Sequence, residues 1–453
     1  MLKSYCKTHL VILAFLAITL ALNISAQDTN AKFDEYLTAL TKQDRFMGSV
    51  LVARDGKVVF SKGYGMANLE FDIPNTPQTK FRLGSVTKQF GAASILLLQE
   101  RGKLSVQDPI CKYVENCPKT WEPITVHHLL SHTSGIPNFT NFPEYPKTMM
   151  IPATMDSLLA RFKDKPLDFQ PLEKWNYSNS GYVLLGHIIE KASGESFESF
   201  LQKNILTPLK MQNSGYDLHR KILKNRATGY SPSGNGKANS EIIDMTIPHA
   251  AGAMYSTVED LFLWNEALFG DKLLSAKSRE AMTTVVKNNY GYGLTIDKMH
   301  NRQAVSHGGG INGFNTYLAR FPEEKVTVVV LRNVDGGAPG PGKISADLAA
   351  ILFGEKYDIP TVKTVAKVDP KIYDAYVGEY QLAPNFILTV RRNGDRLMTQ
   401  ATGQGEIEIF PESETKFFPK VMEASLTFVK DESGKVTHLI LNQGGERKAM
   451  KIK

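Results

Sequence analysis

The sequence predicts an α/β domain, a sheet with helices inserted between its ends, followed by a small C-terminal antiparallel β-barrel or sandwich. Three observations carry that expectation. Strand-like runs stand at residues 48–60 and again at 290–333, so one sheet draws on both ends of a domain and the chain between is inserted into it. From about 105 to 270 the apolar residues recur mostly at helical spacing, broken by Pro, Gly and Asn loops. From Val377 to Lys453 short strand-like runs alternate with turns at Asn393-Gly394, Gly403–Gly405, Ser433-Gly434 and Gly444-Gly445.

Taken from the N-terminus, Lys3 and Lys7 precede an apolar run from Leu10 to Leu22, and Asn23-Ile24-Ser25-Ala26-Gln27 follows. A basic start, an apolar core and a small-residue cut site make residues 1–26 a secretory signal peptide. The core is short of the ~20 residues that a spanning helix needs, so cleavage is expected over a retained anchor. No other stretch is long and apolar enough to span. The mature chain of about 425 residues is therefore expected to be exported, periplasmic or secreted, with room for one large domain and one small one. Those are placed at 27–356 and 373–453, joined by a linker over 357–372 that carries Pro360 and Pro370.

Of the formal net charge of +7, Lys3 and Lys7 leave with the leader, and no dense Lys/Arg block remains. The composition gives no nucleic-acid footprint. Cys6 also belongs to the leader. Cys111 and Cys117 are near neighbours in an oxidising compartment, so a disulfide is expected between them and no chemistry is assigned to either.

Residues 31–46 read as a helix. Two β-rich runs then flank Asp55-Gly56, a strong hairpin signal. Residues 61–80 are turn-rich. Further on, Tyr290–Ile296, Arg302–Ser306, Phe314–Phe321 and Val326–Asn333 read as strands.

Chemistry concentrates where Phe81-Arg82-Leu83-Gly84-Ser85-Val86-Thr87-Lys88 leads into Gly91–Gly102, a small and apolar run with Gly102 at its expected stop. Ser85 thus stands at or just before a helix N-terminus, with Lys88 one turn on along the same face. Free N–H groups and partial positive charge at that terminus favour an anion beside the serine. Burial would lower the pKa of Lys88 towards that of a useful base. Nucleophile, base and part of an oxyanion hole come from one stretch. Ser-x-x-Lys alone is not diagnostic, since Ser4-Tyr5-Cys6-Lys7 matches it in the leader.

Two later stretches add to it. Tyr177-Ser178-Asn179 lies on a polar loop before the helical Val183–Ala192. There Tyr177 can relay a proton to or from Ser85, and Asn179 can hold a substrate amide. His307-Gly308-Gly309-Gly310 follows a strand-like run, and its glycines let backbone approach a ligand closely.

Leu83-Gly84-Ser85-Val86-Thr87-Lys88, Leu129-Leu130-Ser131-His132-Thr133-Ser134-Gly135-Ile136-Pro137, Tyr177-Ser178-Asn179 and His307-Gly308-Gly309 together resemble the serine β-lactamase and penicillin-recognising family. The branch is that of class C β-lactamases, D-alanyl-D-alanine carboxypeptidases and related esterases. The likeness runs from about Phe33 to Phe353, and the tail from Tyr376 resembles a lipocalin-like barrel. The resemblance implies a β-lactamase/transpeptidase-like catalytic domain with Ser85 acylated, Lys88 as base or relay and Tyr177 as second proton-transfer group. It also implies Asn179, His307, Gly309 and Gly310 as substrate contacts, with N–H groups of Ser85 and Gly310 in the oxyanion hole. No metal or organic cofactor is implied. The implied partner is a small-molecule or peptide substrate, cell-wall-derived peptides among them.

One departure stands out. Many relatives have Lys-Thr-Gly where this chain has His307-Gly308-Gly309, and an unperturbed histidine is mostly neutral at pH 7. A grip on a substrate carboxylate is weakened, which favours peptidase or esterase action on other acyl compounds. His127, His128 and His132 cluster, but no Glu follows in a zinc-protease pattern and no Cys is near. Two competing expectations remain: a weakly catalytic penicillin-binding-like sensor or binding protein, and, further off, a metallohydrolase.

Overall fold

Both faces of the central sheet are buried, which is why its inner strands read as unbroken apolar runs. The computed structural model describes residues 28–233, 236–359, 364–420, 424–443 and 445–453; the expected signal peptide and the Ser4–Lys7 tetrad lie outside the described residues. The sheet comprises β1 (Gly48–Arg54), β2 (Lys57–Tyr64), β3 (Thr295–Met299), β4 (Arg302–Ile311), β5 (Phe314–Phe321) and β6 (Val326–Arg332). Its order is β3-β4-β5-β6-β1-β2, antiparallel throughout. Asp55 and Gly56 both take positive φ in the β1–β2 turn, as a tight hairpin requires.

Side chains alternate between two cores along these strands. Val50 and Val52 of β1 and Val328 and Val330 of β6 pack on one side with Phe33, Leu37, Ile344 and Leu348. Those partners come from α1 (residues 28–42) and the last helix of the domain, which are joined mid-helix where the Tyr36 hydroxyl donates to Asp347 Oδ2 at 2.6 Å. Leu51, Val329 and Leu331 point the other way, into a larger helical core. Its principal helices are α2 (Thr87–Glu100), α3 (Asn179–Ser193) and α4 (Val258–Phe269); α5 (Pro341–Phe353) is the closing helix behind the sheet. Thr87 to Leu98 are all buried, Lys88, Gln89 and Ser94 included, because α2 runs through the core.

Local chemistry sets the helix ends. Ser178 caps α3 by accepting from Gly181 N at 3.3 Å, and Gly194 ends it with φ +74°. Pro341 opens α5 and Gly354 closes it in the left-handed region. Three expected boundaries move. The first helix covers 28–42 rather than 31–46. Helix α3 starts at Asn179, not Val183, because Ser178 is its cap. The strand expected at Tyr290–Ile296 begins only at Thr295: Gly293 has φ +69°, and a side chain there would meet Lys88 O at 2.8 Å. The inserted region also holds short strands at Gly215–Tyr216, Tyr230–Ser233, Gly236–Asn239 and Met254–Ser256. Cys111 and Cys117 form a disulfide.

The described residues fall into two compact units, 28–336 with 340–359 and 337–339 with 364–453. The second is a closed barrel of eight antiparallel strands. They are β7 (Gly378–Ala383), β8 (Phe386–Asn393), β9 (Arg396–Ala401), β10 (Glu406–Pro411), β11 (Lys416–Pro419), β12 (Ser425–Lys430), β13 (Val436–Asn442) and β14 (Glu446–Lys451), with β7 paired to β14. Closure removes the exposed sheet edges. Of the stretch expected as a linker, residues from Ala366 onward are docked on the barrel: Ala366 N donates to Pro411 O at 2.8 Å, and Val368 and Ile372 pack on its core. No helix among the described residues is long and apolar enough to cross a membrane.

Candidate active site

Three short strands aim Ser85. Phe81–Arg82 pairs with Met254–Ser256, which also pairs with Gly215–Tyr216, and Leu83 N donates to Met254 O at 2.8 Å. The chain then makes one 3₁₀ turn, Gly84–Val86, and enters α2. Gly84 has φ +53°, and a Cβ there would meet Gly310 N and O at 2.9 Å each. Only glycine allows both the backbone conformation and that approach.

The sheet supplies the facing wall. Pairing of β3 with β4 ends at Thr295–Ser306, so from His307 onward β4 has a free edge, and that edge meets the Ser85 turn. A Cβ on Gly309 would lie 2.0 Å from Leu83 O and 2.4 Å from Thr316 Oγ1. Gly309 is therefore a close-packing residue rather than the substrate contact expected. Gly310, one residue on, is exposed and lines the cleft beside Ser85.

Lys88 is fully buried, with no carboxylate partner among the described residues. Its Nζ lies 3.1 Å from Ser85 Oγ, 2.8 Å from Asn179 Oδ1 and 2.9 Å from Ala251 O. The last two atoms only accept, so two N–H bonds of the amine are committed to them. Desolvation drives the Lys88 pKa well below its usual value. In the neutral amine the remaining position is a lone pair, directed at the Ser85 hydroxyl.

Tyr177 is the third member of this group. Burial raises its pKa against an opposing pull from Ser85, so it holds its proton at neutral pH. Lys88 Nζ stands 4.7 Å from the Tyr177 ring centroid. Asn179, the first residue of α3, gives one Nδ2 proton to Thr140 Oγ1 at 3.1 Å, and its backbone N–H goes to Asn138 Oδ1. A second Nδ2 proton remains for a ligand. Neither Asn138 nor Thr140 carried a signal in the sequence; they are isolated polar residues in a loop distant from Asn179.

His132 supports this group from behind. It has φ +58°, its Nδ1 accepts from Ser178 N at 3.2 Å, and its ring centroid lies 4.3 Å from that of Tyr177. The other two clustered histidines go elsewhere: His128 Nδ1 accepts from Thr125 N, and His127 Nδ1 meets the Tyr292 hydroxyl. Among the described residues no group of three or more His, Cys, Asp or Glu is arranged to hold a metal.

The expectation that His307 touches substrate is corrected. It is buried, its Nδ1–H donates to Gly308 O at 2.6 Å, and Nε2 accepts from the Tyr290 hydroxyl at 2.9 Å. With both nitrogens occupied and the ring desolvated, its pKa falls to about 3. It is neutral and faces Tyr177 and Tyr290, not the cleft. The cleft has a volume of about 310 Å³, and its lining includes Ser85, Tyr145, Asn179, Ile243, Ile311 and Asn312.

Residues 32–351, well over half of the chain, match the family described as Beta-lactamase. The chain belongs to the β-lactamase family. A penicillin-binding protein of Bacillus subtilis is 29% identical over 91% of this chain and 97% of that one. A teichoic acid D-alanine hydrolase of Staphylococcus aureus is 28% identical over 67% of this chain and 74% of that one. Among solved structures, an octameric penicillin-binding protein homologue from Pyrococcus abyssi superposes with a TM-score of 0.67 at 29% identity. It covers 92% of this chain and 99% of that chain. Residues 362–451 match a separate family described as a domain of unknown function. The first unit thus has the fold of the β-lactamase family of serine hydrolases.

Proposed function

We propose that the protein is an exported serine hydrolase that cleaves an amide or ester through an acyl-enzyme on Ser85. The observation that carries this is Lys88: a buried amine whose two N–H bonds are taken by pure acceptors and whose third position meets Ser85 Oγ. Neutral Lys88 takes the Ser85 proton as Oγ attacks the acyl carbon. The resulting oxyanion lies between the N–H groups of Ser85 and Gly310. The Tyr177 hydroxyl, still protonated, delivers a proton to the leaving amine or alkoxide, and the proton on Lys88 restores it. Water then enters, gives its proton back along the same groups and releases the acid.

The substrate class follows from charge. The cleft lining carries no ionised side chain, and His307 is neutral behind it. We assign it acyl compounds whose recognition needs no carboxylate clamp, D-aminoacyl esters, amides and peptides among them. The D-alanine hydrolase among the relatives supports that choice. Export is supported by the leader-like start, and the domain reading is a hydrolase over 27–356 with a barrel over 373–453.

The test is intact mass of the mature protein after brief exposure to an activated D-alanyl ester and, separately, to a penicillin, with Ser85→Ala as control. An adduct or turnover confined to wild type is expected, with the ester the better reagent. Equal turnover in Ser85→Ala would overturn the mechanism. Silence with every acyl donor would favour a binding role.

A further inference from the structure

Two ring faces flank the Lys88 amine. Its Nζ stands 4.7 Å from the Tyr177 centroid and 5.4 Å from that of Tyr182. The first ring belongs to a residue that moves a proton. The second does not: Tyr182 is fully buried, and its hydroxyl donates to Leu130 O at 2.9 Å. What Tyr182 offers the amine is therefore a ring face. Asn179 and Tyr182 stand three apart at the start of α3, so one helix face brings both to Nζ.

The other groups around Lys88 carry no charge. Ser85 faces it from the turn before α2, and the short helix His249–Gly252 presents only Ala251 O. His132 and His307 lie close enough to feel the lysine's charge. Burial first, then that charge, drives the pKa of His132 well below its ordinary value and that of His307 to about 3, so both are neutral. Tyr290 behind them keeps its proton, its pKa raised by burial. When Lys88 takes the Ser85 proton it becomes an ammonium in the core, which is costly without compensation. Asn179 Oδ1 and Ala251 O meet part of that charge. A desolvated cation over an aromatic face is where the ring's attraction is strongest.

We propose that, given the acyl-enzyme reading above, Tyr182 is a positioning residue for acylation: its ring face stabilises the ammonium that Lys88 becomes as the Ser85 proton passes from Oγ to Nζ. The charge stays over the ring while Oγ bonds to the acyl carbon. It is discharged when Lys88 gives its proton to Tyr177, which has supplied the leaving group.

The test is the pH dependence of kcat/KM for p-nitrophenyl acetate, which has no titrating group of its own, in the full mature chain with Ser85→Ala as the blank. Tyr182→Phe keeps the ring and loses the hydroxyl bond, so its acidic limb should stay at the wild-type pH. Tyr182→Leu removes the ring face and disfavours the ammonium. Its limb should move to lower pH by roughly 1 unit, and its plateau should fall about three- to tenfold. A merely structural role has the opposite sign, because a loosened core admits water, relieves desolvation and moves the limb up. Pentafluorophenylalanine at position 182 keeps the shape and reverses the charge of the ring face, so it should behave as Tyr182→Leu does in a protein of native circular dichroism. A limb that stays or rises in both ring-face variants, or Tyr182→Phe matching Tyr182→Leu, would overturn the proposal. Equal hydrolysis by wild type and Ser85→Ala would instead overturn the acyl-enzyme reading beneath it.

Discussion

With Lys88 shut away from water, the proton inventory at Ser85 depends on one amine. Burial lowers its pKa, so the unprotonated form needed for attack exists well below the ordinary lysine range. Lys88→Ala should lower kcat/KM by roughly 10²–10⁴-fold, nearly as much as Ser85→Ala, because groups acting as a unit fail together. The wild-type profile should lose activity on acidification as Lys88 gains its proton, with the midpoint of that limb far below 10.5; a midpoint near 10.5 would refute the assignment. His307 gives a second test. Its pKa is about 3 when folded, against 6.5 as the ordinary value. Between those values the unfolded chain binds a proton that the folded one refuses, so stability falls as pH falls. At pH 4.5 this amounts to roughly 2.5 kcal/mol that His307→Gln does not lose. Urea midpoints at pH 7.5 and 4.5 measure it: the gap between wild type and variant should shift by about that amount, against the wild type in acid.

At the scale of elements, glycines decide how closely the Ser85 turn and β4 approach. Gly84→Ala must adopt a left-handed conformation and push against Gly310. The conformation alone costs about 1–2 kcal/mol. Activity should fall more than stability, since the proposed mechanism places the oxyanion at the N–H of Gly310; comparing kcat/KM with the denaturation midpoint separates the two. Motif order and helix or strand periodicity made Ser85, Lys88, Tyr177 and Asn179 legible as one group. The role of Gly309 was not legible, because what lies 2.0 Å from its absent side chain is Leu83 O, more than two hundred positions away in sequence. The same holds for β3, which starts only after Gly293, where the positive φ and the nearness of Lys88 O leave no room for a side chain.

At the scale of the molecule, two units carry separate cores: Tyr380, Leu397, Leu426 and Leu439 belong to the barrel alone, and the β1–β6 sheet has its own two. Independent cores predict independent cooperative units. Calorimetry should show unfolding that is not two-state, with the calorimetric enthalpy exceeding the van't Hoff enthalpy. A ratio of one would show the units melting together. Turn spacing told of the second unit, and the Asn393-Gly394 and Ser433-Gly434 turns stand where β8 meets β9 and β12 meets β13. Its closure depends on which strands pair, and that does not follow from spacing.

By itself the sequence determined the fold class, a serine and a lysine one helical turn apart, and the order of the motifs, because these depend on local periodicity and on residues close in the chain. Only the tertiary structure decided where His307 points, that Asn179 and Ala251 hold the Lys88 amine, and that the Tyr182 ring faces it. Those facts depend on desolvation and on partners far apart in sequence, and burial of one group by another is a property of the packed chain.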